Sequence, residues 1–470
     1  MKSLFRKHYI IISAISFLIL FIVLLGFYPG LVSYDGNNQW QQVQSGIITN
    51  AHPFFSTYFM FILSKIWNNI TIVVIYQIIL MSISWGYLCK SLGKVNKKQI
   101  IFMYIFSIIT MLTPLICIYS ITVWKDTIYT LYLFLCSIML FDWGNNEYSF
   151  TIPKYCLLGF MIAMVFSYRH NGIIVAILLL LIVYVLCIRK LRKKIISKDN
   201  FKKSFCILCT FIVIIFIISI PKKIVLDASN KKINSQINDD VSYSTLDSYM
   251  LWMMGAHLKE NNIKNISDKE FLNKIIPIKT WKKVYNPHLI NDTGLASDFD
   301  KKYLVKNSSK FENIFIKYSV KYPLTIFNHY LKADALLIDP LASFHGYVYI
   351  YCFSGLSYLP DYTNIRPKIS VVNNVYNKLI GYSLKKPFIM FYQPAFILYL
   401  SLFITFILAK RVYGKRIWLF SLPMILNIVS LLPINLAQDL RYVYINYLTF
   451  FGLLLMLIIN CKKVFRRNKT

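Results

Sequence analysis

Acidic side chains are scarce in this 470-residue chain, with 20 Asp and Glu against 52 Lys and Arg and a formal net charge of +32. In a soluble protein that surplus would point to nucleic acid. Its distribution excludes that reading: the short segments 1–7, 90–98, 189–203, 410–416 and 461–470 hold 24 of the 52 basic residues and one acid, Asp199. Short loops dense in Lys and Arg stay on the cytoplasmic side of a membrane, so the charge reports orientation and no nucleic-acid partner is expected. Cysteine is also sparse where it could form a scaffold. Eight of the nine cysteines lie in or beside apolar runs, and only Cys352 falls in the large polar segment, which excludes an internal disulfide there. The pair Cys206 and Cys209 has redox or metal spacing, but it sits in an apolar run with no His or second Cys pair nearby, which favours packing or lipid contact. A signal-peptide cleavage site is missing too. The apolar run in "MKSLFRKHYIIISAISFLILFIVLLGFYPG" is too long for a signal core and no A-x-A-like site follows, so a retained first span is expected. No repeats, collagen pattern or coiled-coil heptads are evident.

What the chain does have is hydrophobic residues, 57% of the total, in runs of about twenty. That is the length needed to cross ~30 Å of hydrocarbon. Spans are expected near 8–27, 70–89, 99–117, 126–142, 155–168, 172–188, 204–220, 388–409, 417–433 and 441–460. Starting with residues 1–7 inside and alternating, every basic loop falls inside, and both termini are cytoplasmic. The expected fold is therefore an all-α polytopic membrane protein of about ten spans. It divides into a seven-span module over 1–220 with an outer loop at 28–69, a mostly helical extracytoplasmic domain over 221–387, and three further spans over 388–470. Within the outer loop, 54–68 is apolar but short and is interrupted by Lys65, so an amphipathic helix lying at the membrane interface is expected there.

Once the cytoplasmic segments and the large domain are set aside, few charges remain on the outer side, at or near the outer ends of spans: Asp35, Lys65, Lys125, Asp126, Arg169, Asp439 and Arg441, with His52 and His170. An ionisable group at membrane depth costs roughly 2.5–3.5 kcal/mol even on lenient insertion scales, so such groups are paired, hydrated or functional. Solvated charges that fix helix ends would explain any one of them. As a set they match what a phosphate leaving group requires: cations to neutralise developing charge and a carboxylate to take a proton from an attacking hydroxyl. Asp35 begins a polar run, "DGNNQWQQ", in which Asn38 and Gln39 offer amides to sugar hydroxyls and Trp40 a flat face to a sugar ring. Turn formation by Asn and Gly is the competing explanation of that run.

In order along the chain, "SYD" with "QW", "AHPFFSTY", "VWKD", "YRHNG" and "QDLRY", together with one span, a long outer loop, six more spans and a large outer domain, resemble the GT-C superfamily of integral-membrane glycosyltransferases. Protein O-mannosyltransferases and lipid A aminoarabinose transferases belong to it, as does an uncharacterised bacterial family of multi-pass proteins. The resemblance covers the topology of about the first 220 residues well and the remainder only in general layout. It implies an inverting glycosyltransferase in the bacterial plasma membrane that moves a hexose or pentose from a polyprenyl-phosphate-sugar to a glycan, lipid or protein acceptor of the cell envelope. It matches Asp35 to the catalytic acid of the first outer loop, Asp126 to an acid of the second, and His52–Pro53 to an "HPPL" element. The first loop lacks the paired acid of some members, and members differ in metal requirement, so a divalent cation is left open.

The mechanism expected on these grounds has Asp35 as general base. Lys125, Arg169 and Arg441 hold the carrier phosphate, with His170 beside them. Asp126 orients a cation or the sugar, and His52 positions the loop or binds phosphate. A polysaccharide polymerase or ligase is the nearest alternative. A transporter of lipid-linked glycans is a more distant one, since its charges would be spread through the bilayer midplane and not gathered at one face.

Overall fold

The computed structural model describes residues 2–93, 95–236, 244–342, 364–385 and 388–464. Cys352 lies outside them. The described chain is helical almost throughout, and its only sheet is a parallel pair of two-residue strands. From the N-terminus the elements are α1 (Lys2–Gly26), β1 (Leu31–Val32), α2 (Tyr34–Ser45), α3 (Phe54–Ile66), α4 (Thr71–Ser91), α5 (Lys97–Leu112), α6 (Pro114–Ile121), β2 (Thr122–Val123), α7 (Lys125–Asn145), α8 (Ile152–Tyr168), α9 (Gly172–Arg192) and α10 (Lys198–Gln236).

Among the described residues, seven helices are long and apolar enough to cross a membrane, or eight if α5 and α6, bent by 63° at Pro114, form one span. The difference from the expected ten has two physical sources. Helix α8 has 17 residues, so at 1.5 Å per residue it reaches only about 25 Å. The stretch Pro394–Leu431 forms one helical run by length, yet it folds back on itself. Thr405 Oγ1 and Ser421 Oγ lie 2.7 Å apart, where sixteen residues of straight helix would separate them by about 24 Å. The reversal falls at Gly414, whose φ of +62° is open to glycine and strained for other residues.

Several apolar helices mark this as a membrane protein, and the surface agrees with them. Ile101, Phe102, Ile105 and Ile109 on α5, and Ile212, Val213, Phe216, Ile217 and Ile220 on α10, are all exposed. Continuous apolar surface of that extent is foreign to soluble monomers. By contrast α7 is apolar all round and buried all round, packed between α4, α8 and the helix Tyr444–Ile459.

The chain divides into two compact units, one of Met1–Ile233, Tyr349–Ser430 and Arg441–Thr470 and one of Asn234–Val348 with Leu431–Leu440. The segment 221–387, read from sequence as a single domain, is thus shared between them. α10 runs on through Pro221 to Gln236, and the helix Ser370–Ser383 is tied to α1 through Lys368 N–H donating to Leu25 O at 2.8 Å. The second unit is helical, with Leu251, Met254, Leu272, Ile275, Trp281, Leu304 and Phe311 in its core. Segment Leu431–Leu440 is stitched into it by Tyr249 Oη donating to Ile434 O and Asn435 Nδ2 donating to Ala333 O.

Candidate functional site

The first unit brings Asp35 and the Lys125–Asp126 pair together by a small device. β1 pairs in parallel with β2, Leu31 opposite Thr122 and Val32 opposite Val123. Each strand leads into a helix, so the starts of α2 and α7 are brought near one another, with Asp35 and Asp126 in their first turns. Buried Gln77 on α4 braces β2 by donating to Ser120 O at 3.1 Å and Thr122 O at 2.8 Å. Ser33 caps α2 by accepting from Gly36 N–H at 3.0 Å. Gly36 is needed for the close approach of α2 to β2, because a Cβ there would run into the Val123 carbonyl. The start of a helix carries partial positive charge, which favours carboxylates and other anions.

Three cations converge on these acids. Arg441 Nη1 donates to Asp35 Oδ2 at 2.7 Å and Lys125 Nζ donates to the same oxygen at 3.4 Å. Asp126 faces Arg169 Nε at 3.0 Å, Arg441 Nη1 at 3.8 Å and Lys125 Nζ at 3.9 Å. The two acids differ in exposure, with the Asp126 side chain 1% exposed and that of Asp35 27%. Tyr442 lies between the two guanidinium groups, 4.5 Å from Arg169 and 5.2 Å from Arg441, and Trp124 lies 5.6 Å from Arg441. Such contacts orient a guanidinium as well as stabilise it. The turn carrying Arg441 is held to α7 through Asn427, which donates to Tyr442 O at 2.9 Å and accepts from Tyr129 Oη at 3.0 Å.

Burial alone would raise the Asp35 carboxyl, but Lys125, Arg441 and His52 outweigh it and hold the group well below the usual carboxylate range. Burial and Lys125 push the His52 imidazole down to about 4 against the pull of Asp35 and Asp126, so at neutral pH it is uncharged. Asp35 and Asp126 thus share Lys125 and Arg441, and Arg169 pairs with Asp126.

Of the residues expected at the site, Asp35, Lys125, Asp126, Arg169 and Arg441 form this cluster, and His52 stands close enough to feel its charges. His170 is exposed and lies in a neighbouring cleft lined by Asn50, Arg169 and Lys222 together with Phe54, Phe166, Ile173 and Ile218. The amides lie elsewhere. Gln39 is fully buried and clamps α2 to α3 by donating to Ser56 Oγ at 2.8 Å and Thr57 Oγ1 at 3.0 Å. Asn38 Oδ1 accepts from Gln42 Nε2 at 2.9 Å. Trp40 is buried against a separate cavity. Asp439 belongs to the second unit. Sequence reading passed over Gly36, Gln77 and the aromatic partners Trp124 and Tyr442, although the last two adjoin the charged residues in "WKD" and "RY".

No three His, Cys, Asp or Glu side chains converge as a metal site among the described residues. The donor set here also fits a divalent cation poorly, since Lys125, Arg169 and Arg441 already surround the carboxylates at 2.7–3.9 Å. Comparison with protein-family models, with curated proteins and with solved structures finds no match to this chain.

Proposed function

We propose that this protein is a membrane glycosyltransferase of the GT-C type, transferring a sugar from a polyprenyl-phosphate-linked donor to an acceptor of the bacterial cell envelope at the outer face of the plasma membrane, with both termini cytoplasmic. The observation that carries the reading is the sharing of Lys125 and Arg441 by Asp35 and Asp126 at the starts of two helices.

At rest Asp35 is a weak base because its two cations stabilise the carboxylate. A donor phosphate competes for the same Lys125 and Arg441, and every interaction it takes over restores basicity to Asp35. Binding the donor therefore arms the base. The acceptor oxygen then attacks the anomeric carbon from the face opposite the phosphate. Its proton passes to Asp35, the bond from the anomeric carbon to the phosphate oxygen breaks, and the phosphate leaves with the bonding electrons, held by Lys125, Arg441 and Arg169. The configuration is inverted. Asp126, buried beneath, keeps the cations in place. Neutral His52 donates a hydrogen bond without adding charge. The cleft beside Arg169, His170 and Lys222, with its apolar wall, suits the carrier where phosphate meets lipid.

The test is the envelope glycan profile of the host in three strains: wild type, deletion, and Asp35→Ala expressed at normal level. Loss of the same sugar from the deletion and the point mutant is expected, and that sugar names the donor. A deletion phenotype with a fully functional Asp35→Ala protein would remove the catalytic role of Asp35 and move a transporter reading ahead.

A further inference from the structure

The other face of α2 borders a second, different cavity. It has a volume of about 490 Å³, within the range of small-molecule sites. Four carboxamides line it, Gln44, Asn68, Asn69 and Asn364, together with the aromatic rings of Trp40 and Tyr28 and the guanidinium of Arg366. Among the described residues no carboxylate lines it, and its aliphatic surface is Pro29 and Ile70. Carboxamides supply a donor and an acceptor together, which matches ligands whose groups are each both, as hydroxyls are. Trp40 and Tyr28 add flat apolar surface of the kind that covers the C–H face of a pyranose.

The lining is also held in place before any ligand arrives. Gln44 Nε2 donates to Asn68 Oδ1 at 2.8 Å, joining the last turn of α2 to the segment before α4. Asn69 Oδ1 accepts from Thr71 N–H at 2.9 Å, and Thr71 Oγ1 donates to Pro29 O at 3.0 Å. Arg366 N–H donates to Tyr28 O at 2.7 Å, and Lys368 Nζ lies 5.2 Å from the Tyr28 ring. Pre-ordering of this kind reduces the entropy lost on binding.

We infer that this cavity is a saccharide-binding site, selective for sugars carrying a carboxylate or phosphate through Arg366. Its place on the fold gives it a role that rests on the transferase reading, as the subsite for the acceptor. Trp40 lies five residues from Asp35 on the same helix, roughly 7.5 Å along it and roughly 140° around it. One helix thus carries the base on one face and the acceptor's outer residues on another, and binding here delivers a hydroxyl toward the α2 N-terminus.

The experiment uses the full-length chain in detergent micelles and saturation-transfer NMR with two probes, cellobiose and cellobiouronic acid, alongside binding of undecaprenyl phosphate to the same preparation. Wild type is expected to saturate both disaccharides, with the uronate bound more tightly. Arg366→Gln should weaken the uronate about tenfold and leave cellobiose unchanged, as loss of one hydrogen bond to a charged group implies. Asn68→Leu, at an exposed position, should weaken both. Absence of saturation for either disaccharide, or cavity variants indistinguishable from wild type, overturns the inference whatever undecaprenyl phosphate does. Disaccharide binding that responds to the cavity variants, without any binding of undecaprenyl phosphate, upholds the saccharide site and instead refutes the lipid-phosphate donor.

Discussion

Asp126 and Asp35 share cations yet should respond in opposite ways to loss of charge. In Asp126→Asn, Arg169, Lys125 and Arg441 lose a carboxylate that is 1% exposed and lies 3.0–3.9 Å from them. Breaking a buried ion pair from one side leaves uncompensated charge and costs about 3–5 kcal/mol. Asp35 is 27% exposed, so solvent covers part of its loss and Asp35→Asn should cost about 1–2 kcal/mol. With an unfolding entropy of about 2 cal/mol/K per residue over the first unit, the first figure becomes a Tm drop of roughly 4–7 °C and the second roughly 1–3 °C. Once the accessible Cys156, Cys206, Cys209 and Cys461 are blocked, a thiol-reactive dye can follow the melting in detergent, because Cys117 and Cys136 are fully buried and react only on opening. Transfer activity should run the other way, with Asp35→Asn losing about 10²–10⁴-fold through the missing base. Arg169→Gln added to Asp126→Asn removes the orphaned guanidinium, so the double variant should melt above the sum of the single losses. An Asp126→Asn protein that melts with wild type, or below which Asp35→Asn falls, would refute the ranking by burial.

Three other outcomes are expected. Gly36→Ala pushes α2 off the Val123 carbonyl, costing about 1–3 kcal/mol of stability and up to about 10²-fold in kcat through displacement of Asp35; wild-type kcat would show that the close approach is dispensable. Gln39→Ala removes both donors to Ser56 and Thr57 and leaves a void, so α2 and α3 should separate at a cost of about 2–4 kcal/mol, read as faster hydrogen exchange over Tyr34–Ile66. His52 titrates near 4 when folded and near 6.5 when unfolded, so the unfolded chain takes up its proton first as pH falls. Its contribution is complete above pH 6.5 and is lost toward pH 4, and Tm should fall less steeply over that window in His52→Gln than in wild type; parallel curves would contradict the depressed value.

Much of the frame was legible in the chain. The long apolar runs and their basic flanks located α1, α4, α7, α9 and the helix Tyr444–Ile459 to within a few residues, because a span needs length and apolarity and little else. The charged cluster was legible by subtraction, since charges that are costly near a membrane end up together. Details that depend on tertiary contact were not. Residues 34–45 form a helix although their Asn, Gly and Gln content argues for turns, because Ser33 caps it and burial of Gln39 and Trp40 holds it. A two-residue ladder carries no periodic signal, yet it aligns the two helix starts. The bend at Pro114 had its local sign, a proline that disfavours helix in the residue before it, inside a run whose apolarity read as continuous.

The position of Arg441 along the polypeptide has a consequence for biosynthesis. Asp35, Lys125, Asp126 and Arg169 leave the ribosome long before it, and Arg441 follows Arg169 by 272 residues. Until that arginine is translated, Asp35 lacks its 2.7 Å partner and Tyr442 is absent from between the two guanidinium groups. A nascent or prematurely terminated chain can therefore insert its early spans without a finished cluster. The cluster closes only with the arginine turn preceding the helix Tyr444–Ile459, so completion of translation is at the same time completion of this charged centre.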